Sequence, residues 1–527
     1  MYKVLVSDNI SPKGIEILEQ EADVTFNPDL SREEFLDIIG EYDGLIVRSM
    51  TEVDKEALDK ARNLKVIGRA GTGYDNIDIE EASKRGIIVF NTPTGNTISA
   101  VEHTIGMMLA LSRNIPQANQ ALHEGIWDRK KYMGVEVKGK TLGIIGLGRI
   151  GSRVAVRAQA FGMKVIANDP YLPPEKAAKI NVPLLGFKEV LKKSDYITLH
   201  TPLTDETYHI LSHKEFAIMK DNVRIINCAR GKNVDTQALA KALAEHKVAG
   251  AAIDVHEVEP LPEDNPLLKY QDRVIMTCHL GGTTTEAMDN VSIAAAEQVL
   301  DVLNNGLPES PLNIPSINIQ EYNKAKPYLN LVNKLGNFIA KWKGHERIEM
   351  IEAEYGGEVI GHDLKPFTTS LIKDILDPIL DSRVNLVNAQ LVAKERGIEI
   401  KESQISKPDG VNNIIRVRVK TNKGNYSVAG TNLPIGLRII EINDFRIDLN
   451  LEGKFLVISY QDKPGVIGKV GSILGQDNVN IASMQVGRKS YGGQAIMIIQ
   501  TDNKPSKATM EKINKNIELT DLTYLEI

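Results

Sequence analysis

Three residues able to do acid–base and anion-binding chemistry, Arg230, Glu259 and His279, each come shortly after a separate apolar run. If those runs are strands of one open parallel sheet, the three side chains meet at its carboxyl edge, where ligands bind. An imidazole exchanges a proton near neutral pH, and a carboxylate bonded to it fixes its tautomer. A guanidinium grips a carboxylate through two hydrogen bonds. We therefore predict a general acid–base at His279, oriented by Glu259, with Arg230 holding the carboxylate of a 2-hydroxy acid.

The residue types leave some alternatives open. Glu257 competes with Glu259 for the orienting role, and the residue pattern does not separate them. His200 and His256 also follow strands, but no partner in the sequence promotes them. The other histidines, His103 among them, are interpreted as surface or capping residues. No metal site is expected, because the two cysteines form no C-x-x-C pair and no H-x-x-x-H pair occurs on a helix.

A glycine-rich turn predicts where a dinucleotide binds. Gly146, Gly148 and Gly151 follow the apolar run 142–145 and open a helical pattern, and the next strand ends at Asp169. These glycines suit the tight turn, the close approach of a pyrophosphate and the packing of helix on strand. The helix N-terminus offers N–H groups to phosphates. A carboxylate at the position of Asp169 accepts hydrogen bonds from ribose hydroxyls and repels a 2′-phosphate, so we predict NAD rather than NADP.

A second group of residues predicts an anion site. In residues 1–96, strand and helix patterns alternate as in parallel βαβ units, and Arg48, Ser49 and Arg69 lie at strand ends beside small residues. Two arginines next to turns rich in N–H groups provide more positive charge and more hydrogen-bond donors than one carboxylate requires. Arg129 lies in a basic cluster whose competing interpretation is a solvated loop. Together these residues suggest a substrate that carries a phosphate as well as a carboxylate.

Length and composition exclude several classes of protein. A chain of 527 residues is too long for a single hydrophobic core. With 42% hydrophobic and 25% charged residues, its composition is that of an ordinary globular protein. A net charge of −6 argues against nucleic acid or an anionic membrane as the main partner. The first residues form a strand pattern with no signal peptide before them, and two cysteines cannot build a disulfide framework. We therefore expect a cytoplasmic protein.

The order of patterns predicts four domains. Residues 1–96 with 288–310 form the substrate-binding domain, and 97–287 form the NAD-binding domain. The stretch 311–450 is an intervening α+β block, and 451–527 shows the β-α-β-β-α-β order of a ferredoxin-like module. The predicted fold class is α/β, with two doubly wound lobes of the Rossmann or flavodoxin-like type followed by these two smaller parts.

Five stretches together resemble the D-2-hydroxyacid dehydrogenase family. They lie between residues 1 and about 310 and are Arg69–Gly73, Gly146–Gly151, Asn227–Gly231, Glu259–Pro260 and His279–Gly282. The resemblance narrows to the long-form branch with an intervening domain and a C-terminal ACT domain. It implies Arg230, Glu259 and His279 as the catalytic set, and it decides for Glu259 over Glu257.

The resemblance also implies the ligands. The implied substrate is 3-phosphoglycerate, oxidised to 3-phosphohydroxypyruvate and held by Arg48, Ser49, Arg69 and an Arg129 that reaches over from a neighbouring subunit. The alternative is another D-2-hydroxy acid, of the glycerate or glyoxylate type. The implied NAD site, with the three glycines included, is Thr72, Gly146, Gly148, Arg149, Ile150, Gly151, Asp169, Thr201, Cys228, Ala229, Arg230, Asp254, His279, Gly281 and Gly282.

The tail resembles an ACT module, a type that pairs with a second copy and binds amino acids where the two meet. By this resemblance L-serine is the effector, bound by Tyr460 and Asp462, with Asn480 supplied by the partner subunit. The competing interpretation of 462–465 is a plain turn and cap. A paired tail implies a homo-oligomer, a dimer or a tetramer. The residues that bind a ligand of the intervening block are not assigned.

Overall fold

The computed structural model describes residues 1–304, 306–314, 319–344, 346–380, 384–405 and 410–527, with the backbone alone at 319–323. Among these residues, no helix has both the length and the apolar content that a bilayer crossing requires.

The first sheet is parallel and five-stranded, with the order β2-β1-β3-β4-β5. Its strands are β1 (Tyr2–Val6), β2 (Ala22–Phe26), β3 (Gly44–Val47), β4 (Val66–Arg69) and β5 (Ile88–Asn91), and the helices between them are α1 (Pro12–Leu18), α2 (Arg32–Ile38), α3 (Lys55–Lys60) and α4 (Ile79–Lys84). The strand order reverses direction between β1 and β3, which places a binding crevice at their carboxyl ends.

Local signals in the sequence explain where these helices begin. A capping box begins α2: Ser31 Oγ accepts a hydrogen bond from Glu34 N, and Ser31 N donates to Glu34 Oε2 at 2.9 Å. Asp54 and Asp78 cap α3 and α4 in the same side-chain-to-backbone manner. These caps satisfy N–H groups that the first turn of a helix leaves without partners.

The second sheet is parallel and six-stranded, with the order β11-β10-β9-β8-β6-β7. Its strands are β6 (Thr141–Ile145), β7 (Lys164–Asn168), β8 (Tyr196–Leu199), β9 (Val223–Asn227), β10 (Val248–Ile253) and β11 (Val274–Met276), and the accompanying helices are α5 (Thr97–Arg113), α6 (Ile115–His123), α7 (Arg149–Ala160), α8 (Pro174–Ala178), α9 (Phe187–Lys193), α10 (His213–Ile218), α11 (Thr236–Ala244) and α12 (Thr285–Leu303). Its switch point lies between β6 and β8. The last helix, α12, packs against α1 and β3.

The rest of the chain forms two further sheets. The third is mixed, with the order β13-β12-β14-β15-β16-β17, and the fourth is antiparallel, with the order β19-β20-β18-β21. The elements are α13 (Ile319–Lys343), β12 (Ile348–Gly357), α14 (Lys365–Leu376), α15 (Ala389–Glu395), β13 (Glu399–Ile405), β14 (Asn413–Thr421), β15 (Asn425–Leu433), β16 (Gly436–Ile442), β17 (Phe445–Asn450), β18 (Lys454–Gln461), α16 (Val466–Gln476), β19 (Ile481–Arg488), β20 (Gln494–Thr501), α17 (Lys507–Asn516) and β21 (Leu519–Glu526). The last six elements have the predicted β-α-β-β-α-β order, and the predicted fold class is confirmed.

The chain separates into two compact units. They are Met1–Glu52 with Gly68–Asn76 and Asn91–Leu307, and Val53–Ile67 with Ile77–Phe90 and Pro308–Ile527. In the second unit one hydrophobic core joins helix α13 and the third sheet to Phe455, Val457 and Leu525 of the fourth. Their shared core ties these last two parts together, and the predicted boundaries of the four domains remain a prediction.

Candidate active site

The carboxyl ends of the adjacent strands β9, β10 and β11 carry the three residues predicted to do the chemistry. Glu259 and His279 are brought together, with His279 Nδ1 2.9 Å from Glu259 Oε2. The second carboxylate oxygen of Glu259 accepts a hydrogen bond from His256 N at 2.9 Å. Burial raises the pKa of Glu259, but the hydrogen bonds from His279 and His256 outweigh it, so the net shift is downward and the group stays ionised. His279 remains 49% exposed, so a substrate can reach the pair.

Asp254 holds the turn that presents His279. The carboxylate is buried, and it accepts hydrogen bonds from Leu280 N at 2.7 Å and Gly281 N at 2.9 Å. His279 has a left-handed backbone (φ 58°), and its own N–H bonds to the Asp254 carbonyl at 2.8 Å. A non-glycine residue adopts this conformation only where its surroundings hold it. The position of the imidazole is therefore built into the end of β10.

Asp75, which follows strand β4 of the first sheet, holds the side chain of Arg230. Its Nε lies 3.1 Å from Asp75 Oδ2, and its Nη1 donates to the Ala229 carbonyl at 2.8 Å. Gly73 leaves room for this guanidinium, because a Cβ at that position would lie 2.5 Å from Arg230 Nη2. The guanidinium therefore has a fixed direction toward the residues that follow β4.

The side chains of Glu257 and His256, which also follow strand β10, have other hydrogen-bond partners. Glu257 binds His209 Nε2 at 2.9 Å and accepts from Thr236 N at 2.7 Å, so it does not serve His279. His256 Nε2 lies 3.0 Å from the Thr277 carbonyl, which makes it a donor to the backbone. In the structure Glu259, and not Glu257, contacts His279, and the orienting role of Glu259 remains a prediction.

An arginine cluster lies at the ends of β3 and β4. Arg48 Nε and Arg69 Nε are buried side-chain nitrogens that lack a hydrogen-bond partner among the described residues. Burial, together with the charges of Arg48 and Arg230, lowers the pKa of Arg69 to about 10. Three guanidinium groups that repel one another gain stability from a multiply charged anion. Ser49 is exposed next to this cluster, whereas Arg129 is exposed in the segment between α6 and β6.

The glycine-rich turn has the space that a pyrophosphate needs. Gly146 has φ +90°, and a Cβ there would lie 2.7 Å from the His200 carbonyl oxygen, while a Cβ on Gly151 would lie 2.1 Å from the Gly146 oxygen. A Cβ on Gly148 would meet nothing within 4 Å, so this position faces open space. Asp169 Oδ2 accepts from Leu147 N at 2.9 Å and thereby fixes the turn. The arrangement fits a dinucleotide at the start of α7.

The other residues predicted for the dinucleotide site lie at neighbouring strand ends and turns. Arg149 and Ile150 begin α7, and Cys228 and Ala229 follow β9. Thr72 Oγ1 bonds Asn96 Oδ1 at 2.7 Å, and Thr201 Oγ1 accepts from Asn233 at 3.0 Å. Gly282 packs near Asn96, where a Cβ would lie 2.9 Å from its Nδ2.

One group of side chains has the spacing of metal ligands. The ligand atoms of His103, Cys228 and Asp254 lie within 4.8 Å of one another. Burial raises the pKa of the Cys228 thiol to about 12, so this group is a neutral thiol near pH 7. Asp254 is already bonded to His103, Thr277 and two backbone N–H groups. The group is better described as a hydrogen-bond network behind the His279 turn.

Three side chains that contact the predicted site residues were not assigned to the site from the sequence. His103 reaches Asp254 Oδ1 at 3.0 Å, although the sequence interpretation gives it a surface role. Asp8 follows β1 and accepts hydrogen bonds from the backbone of Arg48, Met50 and Thr51. Asp75 pairs with Arg230. Asp8 and Asp75 follow strand ends, so applying the strand-end rule to the acids of the first sheet would have found them.

The residues predicted for an effector lie in the fourth sheet and its loops. Tyr460 and Asp462 lie at the end of β18 and line a cavity of about 470 Å³. Asn480 does not line that cavity and donates to Asp502 Oδ2 at 2.6 Å. Its predicted contribution from the partner subunit remains a prediction.

The open position of Gly148 and the tight position of Gly151 give a matched pair of variants. We expect Gly151→Ala to lower the free energy of unfolding by about 1–3 kcal/mol, because its Cβ would collide with the backbone of the turn. Gly148→Ala leaves the unfolding temperature unchanged and weakens NAD binding by about tenfold or more. Thermal denaturation and NAD titration measure both effects. Equal melting temperatures for the two variants would contradict the assignment of the turn.

Comparison with known families agrees with this geometry. Three family models match: the D-isomer specific 2-hydroxyacid dehydrogenase NAD-binding domain (residues 105–281), the D-3-phosphoglycerate dehydrogenase intervening domain (324–443) and the ACT domain (454–518). Relatives named D-3-phosphoglycerate dehydrogenase are 42% identical in Methanocaldococcus jannaschii and 43% identical in Bacillus subtilis, each match covering 100% of both chains. D-Lactate dehydrogenase of Aquifex aeolicus, solved with NAD and lactic acid, matches 60% of this chain and 100% of its own, with 28% identity and a TM-score of 0.54.

Proposed function

The chain belongs to the D-3-phosphoglycerate dehydrogenases of the D-2-hydroxyacid dehydrogenase family, and from that premise we propose the NAD-dependent oxidation of 3-phospho-D-glycerate to 3-phosphohydroxypyruvate. This reaction is the first step of L-serine biosynthesis. The observation that carries the proposal is the His279–Glu259 pair at 2.9 Å, on the same sheet edge as Arg230.

The chain's own residues account for the proton and the substrate. Glu259 holds Nδ1 of His279, which leaves Nε2 as the atom that takes the proton of the C2 hydroxyl. Arg230, directed by Asp75, binds the substrate carboxylate. Bound NAD would accept the hydride from C2. Gly148 and the start of α7 would bind its pyrophosphate, and Asp169 would bind its ribose.

We assign the substrate phosphate to the arginine cluster. A phosphate carries about −1.5 to −2 charges at neutral pH, and the unpartnered Nε atoms of Arg48 and Arg69 supply donors that a carboxylate alone does not need. Ser49 lies beside them, and Arg129 would come from a neighbouring subunit. This assignment favours 3-phosphoglycerate over glycerate or glyoxylate as the substrate.

Arg69→Gln tests this assignment. We expect the KM for 3-phosphoglycerate to rise by about 10- to 100-fold, because a charged hydrogen bond to phosphate is lost, whereas turnover of D-glycerate is expected to change little. Arg62→Gln removes the same charge from an exposed position after α3 and serves as the control. A parallel loss for both substrates would show that Arg69 does not select the phosphate.

We propose that L-serine inhibits this enzyme by binding at the ACT domain. The support is the cavity lined by Tyr460 and Asp462 in a domain of the type that binds amino acids. Asn480 of the partner subunit would complete the site in a homo-oligomer. Deleting the ACT domain is a poor test, since Phe455 and Leu525 belong to the core shared with α13 and the third sheet.

The experiment that tests the proposal follows NADH at 340 nm, as its formation from NAD with 3-phosphoglycerate or D-glycerate and as its consumption with glyoxylate. We expect turnover with 3-phosphoglycerate, and a fall in that turnover as L-serine is added. Asp462→Ala is expected to abolish the response to L-serine. Turnover that does not change when L-serine is added would refute the proposed regulation by L-serine, and the proposed catalytic function would still hold.

A further inference from the structure

The cavity beside β18 has charges of both signs in its wall. It holds about 470 Å³, a volume typical of small-molecule sites. Its lining combines an acid, two cations, two tyrosines and an apolar side, and the side chains that matter here are Tyr460, Asp462, Ile467, Val486, Arg488 and Tyr491. The site is polar on one side and apolar on the other, so it can orient a small ligand.

An acid and a guanidinium in the lining of this cavity form an ion pair. Arg488 Nη1 lies 3.3 Å from Asp462 Oδ2, at the long end of the range for a hydrogen bond. The Asp462 side chain is 20% exposed and that of Arg488 is 57% exposed. Burial raises the pKa of Tyr460, the Asp462 charge raises it further, and the Arg488 charge opposes both, so the phenol senses both groups. A partly exposed ion pair costs little to separate.

A pair of opposite charges that is easily separated suits a zwitterion. We infer that Arg488 binds the α-carboxylate of an amino acid effector, while Asp462 binds its α-ammonium group. A guanidinium grips a carboxylate through two parallel hydrogen bonds, which replace the single long contact to Asp462. The inference rests on the proposed regulation by L-serine and adds the residue that recognises the carboxylate.

The surroundings of Arg488 support this role. The Tyr491 ring lies 6.0 Å from the guanidinium, and that tyrosine is largely exposed at the rim. This distance is at the outer limit of a cation–π contact, which occupies a face of the guanidinium and not its N–H donors. Ile467 and Val486 supply the apolar wall against which the short side chain of a small amino acid packs. The other cation of the lining, Lys463, pairs with Glu518, which leaves Arg488 as the cation next to Asp462.

The test compares two probes on matched variants of the full chain. L-Serine carries the carboxylate, and L-serinamide lacks it. Arg488→Gln removes the proposed anchor. Lys489→Gln removes the same charge from the next residue, which pairs with Asp444 and does not line the cavity. Binding is measured by calorimetry and by inhibition of NADH formation, each normalised to the turnover of the same variant without effector.

We expect the wild-type chain and Lys489→Gln to bind L-serine at least about tenfold more tightly than L-serinamide. Arg488→Gln is expected to lose that preference, through a 10- to 100-fold loss of L-serine affinity with L-serinamide affinity unchanged. A preference that survives in Arg488→Gln overturns the inference while L-serine regulation stands. No L-serine binding to the wild-type chain overturns both, and turnover of 3-phosphoglycerate then still supports the catalytic assignment.

Discussion

Replacing His279 by Asn lowers kcat by about 10²- to 10⁴-fold, the contribution expected of a positioned general acid–base, and leaves NAD binding in place. Asn is the preferred substitution because it tolerates the left-handed backbone at this position (φ 58°), which would strain most residues. NAD titration measures binding, and steady-state NADH formation with 3-phosphoglycerate measures kcat.

The partner residue provides the control for this prediction. Glu259→Gln keeps the size of the side chain but loses the carboxylate that holds Nδ1 at 2.9 Å. Because the two residues act as one unit, the double variant is expected to be little worse than His279→Asn alone. Additive losses would show that Glu259 does not act through His279. Unchanged turnover in His279→Asn would refute the assignment of the general base.

The second large effect is expected at Arg230. Arg230→Gln lowers kcat/KM for 3-phosphoglycerate by about 10²- to 10³-fold, because a donor aimed at the reacting end of the substrate is lost. Arg230→Lys recovers only part of this loss, since an ammonium lacks the two-pronged geometry. Steady-state kinetics with varied 3-phosphoglycerate measure the effect at saturating NAD.

Asp75→Asn distinguishes the effect of the orientation of the Arg230 side chain from the effect of its charge. This variant retains the guanidinium but weakens the 3.1 Å contact that directs it. We expect a smaller loss of kcat/KM than in Arg230→Gln. If Arg230→Lys is as active as the wild-type chain, the guanidinium does not grip a carboxylate and the substrate orientation must be revised.

The parts of the site that the sequence predicts are those fixed by local pattern. A strand that ends just before Gly146, a helix that begins after Gly148 and an acid at Asp169 follow from the backbone needs of one turn, so their spacing carries the information. Arg230 and His279 could be assigned to one site because parallel strands have their carboxyl ends at the same edge of a sheet. The sheet order β11-β10-β9 agrees with that reasoning.

The parts that escaped prediction depend on side chains far apart in the chain. Nothing local shows that Glu257 pairs with His209, 48 positions away, or that His103 on α5 reaches Asp254. The intervening block shows the same limit. The order of patterns predicted an α+β block there without its elements, whereas the described residues of this block include six strands and the 25-residue helix α13. Its mixed sheet buries alternate residues in a core shared with the ACT domain, and no local pattern identifies that partner.

The fate of the hydrogen at C2 tests hydride transfer directly. With 3-phosphoglycerate deuterated at C2 and unlabelled NAD, we expect the deuterium at C4 of the nicotinamide ring in the NADH formed. His279→Asn is expected to slow this transfer without redirecting the label. Deuterium released to water, or a product formed without NADH, would contradict hydride transfer at this site and with it the proposed function.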